Sequence, residues 1–202
     1  MEQPQGRTYR PARERREEVL ERAIALFAEH GAETSLRALA DSLGLSHAAL
    51  RYHFPSRDDL LIAVYRAHEA SEKGRDGDPP DVSAVEVMEN SALRNRSVPG
   101  LVELYATLTT DALREERHPA THAFIRDRFS RVRADLAEHI RADQAAGRLD
   151  PAIDADDAAA LIAAASDGLQ LQWLLDPDAV DVPRVLTLLE RIFPARAERP
   201  AD

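Results

Sequence analysis

Cysteine is absent from the 202 residues, which excludes a disulfide framework, a thiolate zinc site and a thiol nucleophile together. Lysine is almost absent: Lys73 stands alone among the basic residues, and the others are arginine. Glycine (8) and proline (12) are too few for a collagen-like or low-complexity chain. Long apolar runs are missing as well. The longest, Ala158 to Ala165, holds eight residues, against the roughly 20 that span a bilayer. The start of the chain is rich in arginine and lacks the apolar core of a secretory leader, so the cytoplasm is the expected compartment and no membrane contact is expected. Gly-x-Ser-x-Gly, P-loop and Gly-rich dinucleotide patterns do not occur, which argues against an enzyme.

What is present is ordinary for a soluble globular protein: 44% hydrophobic and 31% charged residues. The length suits one or two domains. The net charge of −10 is unevenly spread. Residues 1–55 are neutral, with five arginines packed into positions 7–16, and the whole deficit falls on residues 56–202. A cation-rich arm (1–10) ahead of a compact unit suits contact with phosphates, whereas the acidic remainder would be repelled by them.

Periodicity predicts helix after helix and no sustained strand, so the expected class is all-α with about nine helices. A first helix over about 11–30 carries Leu20, Ile24 and Phe27 on one stripe, and Gly31 ends it. A second begins at Thr34 or Ser35 and repeats Leu36, Leu39, Ala40 and Leu43 at helical spacing until Gly44. Ser46 caps a third helix that reaches about His53, Pro55 ends it, and Ser56 caps a fourth with Asp58 and Asp59 in its first turn. Gly74 to Asp81 reads as a flexible loop. Further helices are expected at about 82–95, 99–114, 118–145, 154–175 and 182–193, and the tail 194–202 is expected to be disordered.

Helix, glycine turn, apolar plug and short helix over 34–54 follow helix-turn-helix grammar. Leu50 and Phe54 hold the short helix down, while His47, Ala48, Arg51 and Tyr52 are left free on the other side. Small residues flanked by hydrogen-bonding ones suit entry into a major groove.

The run from Thr34 to Leu61, above all Leu50-Arg-Tyr-His-Phe-Pro-Ser-Arg57, resembles the DNA-binding signature of the TetR family of transcriptional regulators. Phe27-Ala-Glu-His-Gly31 matches as well, and the similarity covers about residues 12–65. The resemblance implies a helix-turn-helix domain at 11–55 and a helical ligand-binding and dimerisation domain at 56–193. It implies phosphate contacts by Thr34 and Ser35 at a helix N-terminus. It further implies backbone or base contact by Arg37, a recognition helix opening with Ser46, His47, Ala48 and Ala49, sugar-phosphate contacts by Tyr52 and His53, and a phosphate contact by Arg57. Two positions depart from the family pattern: Arg51 replaces a customary tyrosine and Ala48 a frequent glycine. Arg51 suits either a guanine edge or a phosphate.

One recognition helix reads few base pairs, so a two-fold dimer on a near-palindromic operator in double-stranded DNA is expected. The segment 155–175 is apolar on every side around Ala158–Ala165, and one side needs a partner. Leu161, Ala164, Ala165, Gly168 and Leu171 are the expected interface residues there, joined by Val185, Leu189 and Ile192 from the last helix. By the same resemblance the body encloses a pocket for an unknown small molecule. Met88, Leu104, Tyr105, Leu108, Ile125 and Phe129 are either its lining or plain core. Asp167, Gln170 and Trp173 bring polar groups into an apolar helix and need a partner: ligand, water or second subunit. Asp167 favours a cationic or donor-bearing ligand. His118 and His122 stand at metal-binding spacing, but no glutamate follows His118, so neither a metal nor another cofactor is expected. The function expected is that of a homodimeric, sequence-specific repressor released by a ligand. An activator, a ligand-independent regulator and an α-helical enzyme are the alternatives.

Overall fold

A computed structural model of the chain describes Leu20, Arg22, Ala23 and residues 36–42, 44, 46–73 and 82–193. The described residues are helical, with turns between helices and no strand. The helices are α1 (Leu36–Ser42), α2 (His47–His53), α3 (Arg57–Lys73), α4 (Ala84–Ser97), α5 (Leu101–Ala112), α6 (Pro119–Ala145), α7 (Ala155–Leu175), α8 (Val182–Leu186) and α9 (Leu188–Ile192). Thr34, Ser35, the arm 1–10 and the tail 194–202 lie outside the described residues, as do most of the first predicted helix, Leu43 and Leu45.

Short-range side-chain chemistry sets the helix starts. The Ser46 hydroxyl accepts from the Ala49 N–H (3.1 Å) and opens α2. Ser56 and Asp59 bond reciprocally at the start of α3: the Asp59 N–H donates to Ser56 Oγ (3.1 Å) and the Ser56 N–H to Asp59 Oδ2 (3.0 Å). Ser83 with Glu86 makes the same box at α4, Asp154 accepts from the N–H groups of Asp156 and Asp157 at α7, and Asp181 accepts from Arg184 at α8. Gly44 adopts φ 61°, the left-handed conformation that the tight turn between α1 and α2 requires. Predicted and observed boundaries differ by a residue or two at most ends. The exception is the last helix, expected as one piece over 182–193. It breaks at Thr187, whose hydroxyl donates to the Pro183 carbonyl (3.0 Å), and the chain tightens there, with the Glu190 N–H on the Thr187 carbonyl (3.2 Å).

Apolar burial divides into two clusters. The first joins Ala40, Leu50 and Phe54 of the helix-turn-helix to Leu60, Leu61, Val64 and Tyr65 of α3. It continues into Leu101, Leu104 and Leu108 of α5 and Phe124 and Ile125 of α6. The second unites α4, the C-terminal half of α6, α7 and α8 through Val85, Met88, Leu136, Ile140, Ala159, Ile162, Val182 and Leu186. The turn Phe54-Pro55-Ser56 therefore interrupts the helices but not the core, because Phe54 (1% exposed) and Leu60 (1%) sit in one cluster. At 21 residues, with a mean hydropathy of 1.2 over its most apolar window, α7 would reach across a bilayer by length alone. Here its buried side packs on α4, α6 and α8.

Leu108 is fully enclosed while Leu113, five residues on, is 86% exposed. Leu108→Ala is expected to lower unfolding stability by about 2–5 kcal/mol, and Leu113→Ala to stay within about 0.5 kcal/mol of the parent. Urea titration followed by circular dichroism measures both.

Candidate nucleic-acid interface and the network behind it

Helix α2 is anchored by Leu50 (0% exposed) and, just past its end, by Phe54. Everything else along it faces outward: Ser46, His47, Ala48, Ala49, Arg51 and Tyr52 are exposed, and His53 is half-buried beneath Tyr52, ring to ring at 5.3 Å and 84°. Tyr52 is 85% exposed, an unusual place for an aromatic ring that nothing covers. Arg37 is exposed on α1. Among the described residues no carboxylate pairs with Arg37 or Arg51. The surface thus offers two methyls that permit close approach, cations and donors around them, and an aromatic at the rim.

Arg57 is placed differently from its neighbours. Its guanidinium donates to Asp111 at the end of α5 (3.2 Å) and is only partly exposed. Beside it His118 Nδ1 lies 2.9 Å from Asp58 Oδ2 and His118 Nε2 3.8 Å from Asp111 Oδ1. These contacts clasp the first turn of α3 to the α5–α6 turn. His122 points elsewhere, with Nδ1 3.0 Å from the Ala112 carbonyl and Nε2 3.7 Å from Glu115. The two histidines therefore do not converge as a pair on one point. The atoms of Asp58, Asp111 and His118 do lie within 4.8 Å of one another, but they face each other and Arg57.

Further along α3 a second tie is buried. Arg128 of α6 donates through Nε to Glu69 Oε1 of α3 (3.0 Å) and through Nη1 to the Tyr105 oxygen of α5 (3.2 Å). The Tyr105 hydroxyl donates to Asp167 Oδ2 of α7 (3.1 Å). The guanidinium lies over two aromatic faces, 4.6 Å from the Tyr105 centroid and 5.4 Å from that of Tyr65, and these two rings stack at 5.5 Å. Burial alone would lower the Arg128 pKa, but the Tyr65 and Tyr105 oxygens, Glu69 and Asp167 outweigh it and keep the group charged. Burial pushes Tyr65 up to about 12 and raises Tyr105 further, so both phenols stay protonated. Asp167 is raised by burial, a pull that Arg128 and the Tyr105 hydroxyl only partly offset. Next to it Asn95 donates to Gln170 (3.0 Å), Gln170 to Ser166 Oγ (3.2 Å), and Arg96 covers the Trp173 ring at 4.9 Å.

The residues expected either to line a pocket or to fill the core fall in both apolar clusters. Leu104, Leu108 and Ile125 are buried in the first core with Phe129 packed on it, whereas Met88 belongs to the second. Tyr105, Asp167, Gln170 and Trp173 are engaged with one another's neighbours, as just described. None of these nine residues lines the cavity of about 300 Å³ at the far end of the body or the groove of about 680 Å³ between α2, α3 and α6. Sequence reasoning missed Arg128, Glu69 and Tyr65. The available signal was a cation on the apolar stripe Phe124, Ile125, Phe129, Val132 of α6, where a charge needs a buried partner.

The expected interface face is largely bare. Leu161 (48% exposed), Ala164 and Leu171 (44%) are exposed on α7 together with Leu175 (87%), and Ala165 is half-buried. A methyl group at Gly168 would meet open space. Val185 is partly covered and Ile192 is 60% exposed. Leu189 departs from expectation: it sits at 9% exposure in the chain's own core, on the same helical stripe as the buried Val182 and Leu186, and Leu188 (51%) faces out instead.

The family model described as bacterial regulatory proteins of the tetR family matches residues 19–64, which span the helix-turn-helix and the first half of α3. The model of the BetI-type transcriptional repressor C-terminal domain matches residues 102–197. The chain belongs to the TetR family. It is 29% identical over 192 residues to the HTH-type transcriptional regulator TtgR of Pseudomonas putida, covering 87% of this chain and 88% of that protein. Over 57 residues it is 40% identical to the HTH-type transcriptional repressor AcnR of Corynebacterium diphtheriae, covering 28% of this chain and 30% of that protein. Its fold matches a transcriptional regulator from Saccharomonospora viridis solved in complex with choline, with a TM-score of 0.73 at 23% identity, covering 92% of this chain and all of that one. As a TetR-family transcriptional regulator the protein is DNA-binding through its helix-turn-helix, and α2 is the second helix of that motif.

The raised Asp167 pKa has a signed consequence. The folded regulator holds this proton to higher pH than the unfolded chain, so stability from this group falls as pH rises from the ordinary carboxylate range through the folded value. Asp167→Asn keeps an acceptor for Tyr105. It is expected to exceed the parent in stability at neutral pH and to converge with it towards about pH 4. Denaturant unfolding across that range measures the difference, and a variant less stable than the parent near neutrality contradicts the assignment.

Proposed function

We propose that the protein is a homodimeric transcriptional repressor that holds a near-palindromic operator through two copies of α2 and releases it when a small molecule binds the body. The observation that carries the reading is the split of α2 into a buried side, Leu50 with Phe54, and an outward side led by Tyr52 at 85% exposure with Arg51 and His47. A helix this short spends its apolar residues on fixing its position, so the polar face is what remains to recognise something. In this reading Ala48 and Ala49 let the helix approach the base edges, Arg51 reaches a guanine or a phosphate, and Tyr52 and His53 meet the sugar-phosphate. Ser46, Arg37, Thr34 and Ser35 contribute at helix N-termini or from the flanking helix. Arg57 contacts a phosphate only by sharing its guanidinium with Asp111.

The second copy joins through the bare face of α7, with Leu161, Ala164, Ala165, Gly168 and Leu171, and through Val185, Leu188 and Ile192. Exposed leucines repeating along one helix beside a glycine with open space above it support that contact. The repressor role accords with the name of the AcnR relative, whose similarity spans 57 residues. A ligand carrying a cation or donors suits Asp167, whose charge burial disfavours, and choline in the Saccharomonospora regulator is a compound of that class. Binding near Asp167 and Tyr105 would compete for Arg128, loosen its hold on Glu69 and shift α3, and with it α2. Operator and ligand must then weaken each other by the same factor. Acting on DNA, the protein works in the cytoplasm.

Selection of bound duplexes from a random pool is expected to return a palindrome with two half-sites, with affinity that falls steeply as salt rises. Arg51→Ala and Tyr52→Ala are each expected to weaken operator binding by about tenfold or more and to leave the dimer mass unchanged. A gel shift indifferent to both would overturn the reading face. Leu161→Glu is expected to sediment as a monomer, and a dimer that survives it would move the interface elsewhere.

A further inference from the structure

Away from the network behind α2, the second core contains a cavity of about 300 Å³ that no residue of α1, α2 or α3 lines. Its floor is apolar: Val85 of α4, Ile140 of α6, Leu149, and Ala158 and Ile162 of α7. Its rim is acidic, with Glu86 of α4, Asp143 of α6 and Glu190 of α9 around it, and Arg148 the one cation among the lining residues. Arg148 is already spent on Asp143, with Nη2 and Nε at 2.6 and 2.9 Å from Oδ1. Glu86 accepts from the Ser83 N–H (2.8 Å), and Glu190 accepts a long bond from the Ser83 hydroxyl (3.4 Å). Among the described residues neither has a cationic partner. One turn beyond Glu86 and outside the cavity lining, the Glu89 pKa is raised by burial, a rise that a hydrogen bond with Thr187 partly offsets and that Glu190 and Glu86 add to. The lining thus carries three carboxylates against one guanidinium, with Glu86 and Glu190 exposed at the rim above an apolar floor.

We propose that this cavity is a binding site for an organic cation: an apolar body seated on Val85, Ile140 and Ile162, with one amine directed at Glu86 and Glu190. Its volume lies at the small end of ligand pockets, which suits a molecule the size of one substituted ring. An anion would meet two unpaired carboxylates, and a neutral molecule would bury apolar surface without answering them. Such a ligand would bridge α4 to α9 through Glu86 and Glu190 and rest against Phe193, on helices that also carry the exposed Leu161, Leu188 and Ile192. The site is separate from the Asp167 network and does not depend on the reading of that network as a ligand site.

The test uses the full chain and three probes of matched shape: 2-phenylethylamine, 2-phenylethanol and 3-phenylpropionate, titrated by calorimetry. Saturable binding of the amine at one site per chain is expected, with the alcohol weaker and the acid absent. Glu190→Gln is expected to weaken the amine by about tenfold. Glu86→Gln keeps the Ser83 capping box, since glutamine serves at that position, and is expected to weaken it similarly. The titrations are repeated in Asp167→Asn, which removes the carboxylate of the other network, and amine binding at this cavity is expected to persist there. The proposal fails if the acid binds as well as the amine, if the glutamine variants bind the amine like the parent, or if Asp167→Asn alone removes binding.

Discussion

One buried guanidinium constrains the body of this regulator. Arg128 enters the apolar stripe of α6, and a charge there is tolerable only if other helices bring partners to it. Three do so: α3 supplies Glu69 and the Tyr65 face, α5 supplies Tyr105, and α7 supplies Asp167 through the Tyr105 hydroxyl. The four helices are thereby held in one mutual register. Removing Glu69, the carboxylate bonded directly to Arg128, would leave a buried charge partly unanswered, which costs more than a lost apolar contact.

The same constraint joins the two ends of the molecule. Helix α3 begins beside α2 and is clasped at its first turn by Arg57 to Asp111 and by Asp58 to His118. Twelve residues on, roughly 18 Å along the helix, Glu69 is clasped by Arg128. A helix held at two points by polar contacts and along its length by Leu60, Leu61 and Val64 moves as a rod. In the proposed mechanism, a ligand that changes the partners of Arg128 would act on the position of α2 through that rod. This is the physical content that an allosteric reading of the family fold has in this chain.

The body divides its remaining surface by chemistry. The outer face of α7 is apolar and bare, the end near α4 and α9 is hollow and acidic, and α2 carries cations and an aromatic. The chain as a whole is acidic, with a net charge of −10, whereas residues 1–55 are neutral. The end that approaches phosphate thus escapes the repulsion that the rest would meet.

Sequence alone was sufficient wherever the controlling interaction spans a few residues. Ser46, Ser56, Ser83, Asp154 and Asp181 each bond a backbone N–H two or three positions away, and Gly44 supplies its own positive φ, so helix starts and the helix-turn-helix were legible before any packing was known. The anchoring of α2 by Leu50 and Phe54 followed from the same short spacing. Tertiary structure decided the rest. Arg128 meets Glu69 across 59 positions and Tyr105 meets Asp167 across 62, and no periodicity within one helix encodes such a meeting. Leu189 packs inward with Val182 and Leu186 because the second core covers that side of the last helices, and the hollow formed where α4, α6, α7 and α9 converge rather than where aromatic residues are densest. Local bonds are specified by neighbours in the chain, whereas buried charges and cavities are specified only by which helices face one another.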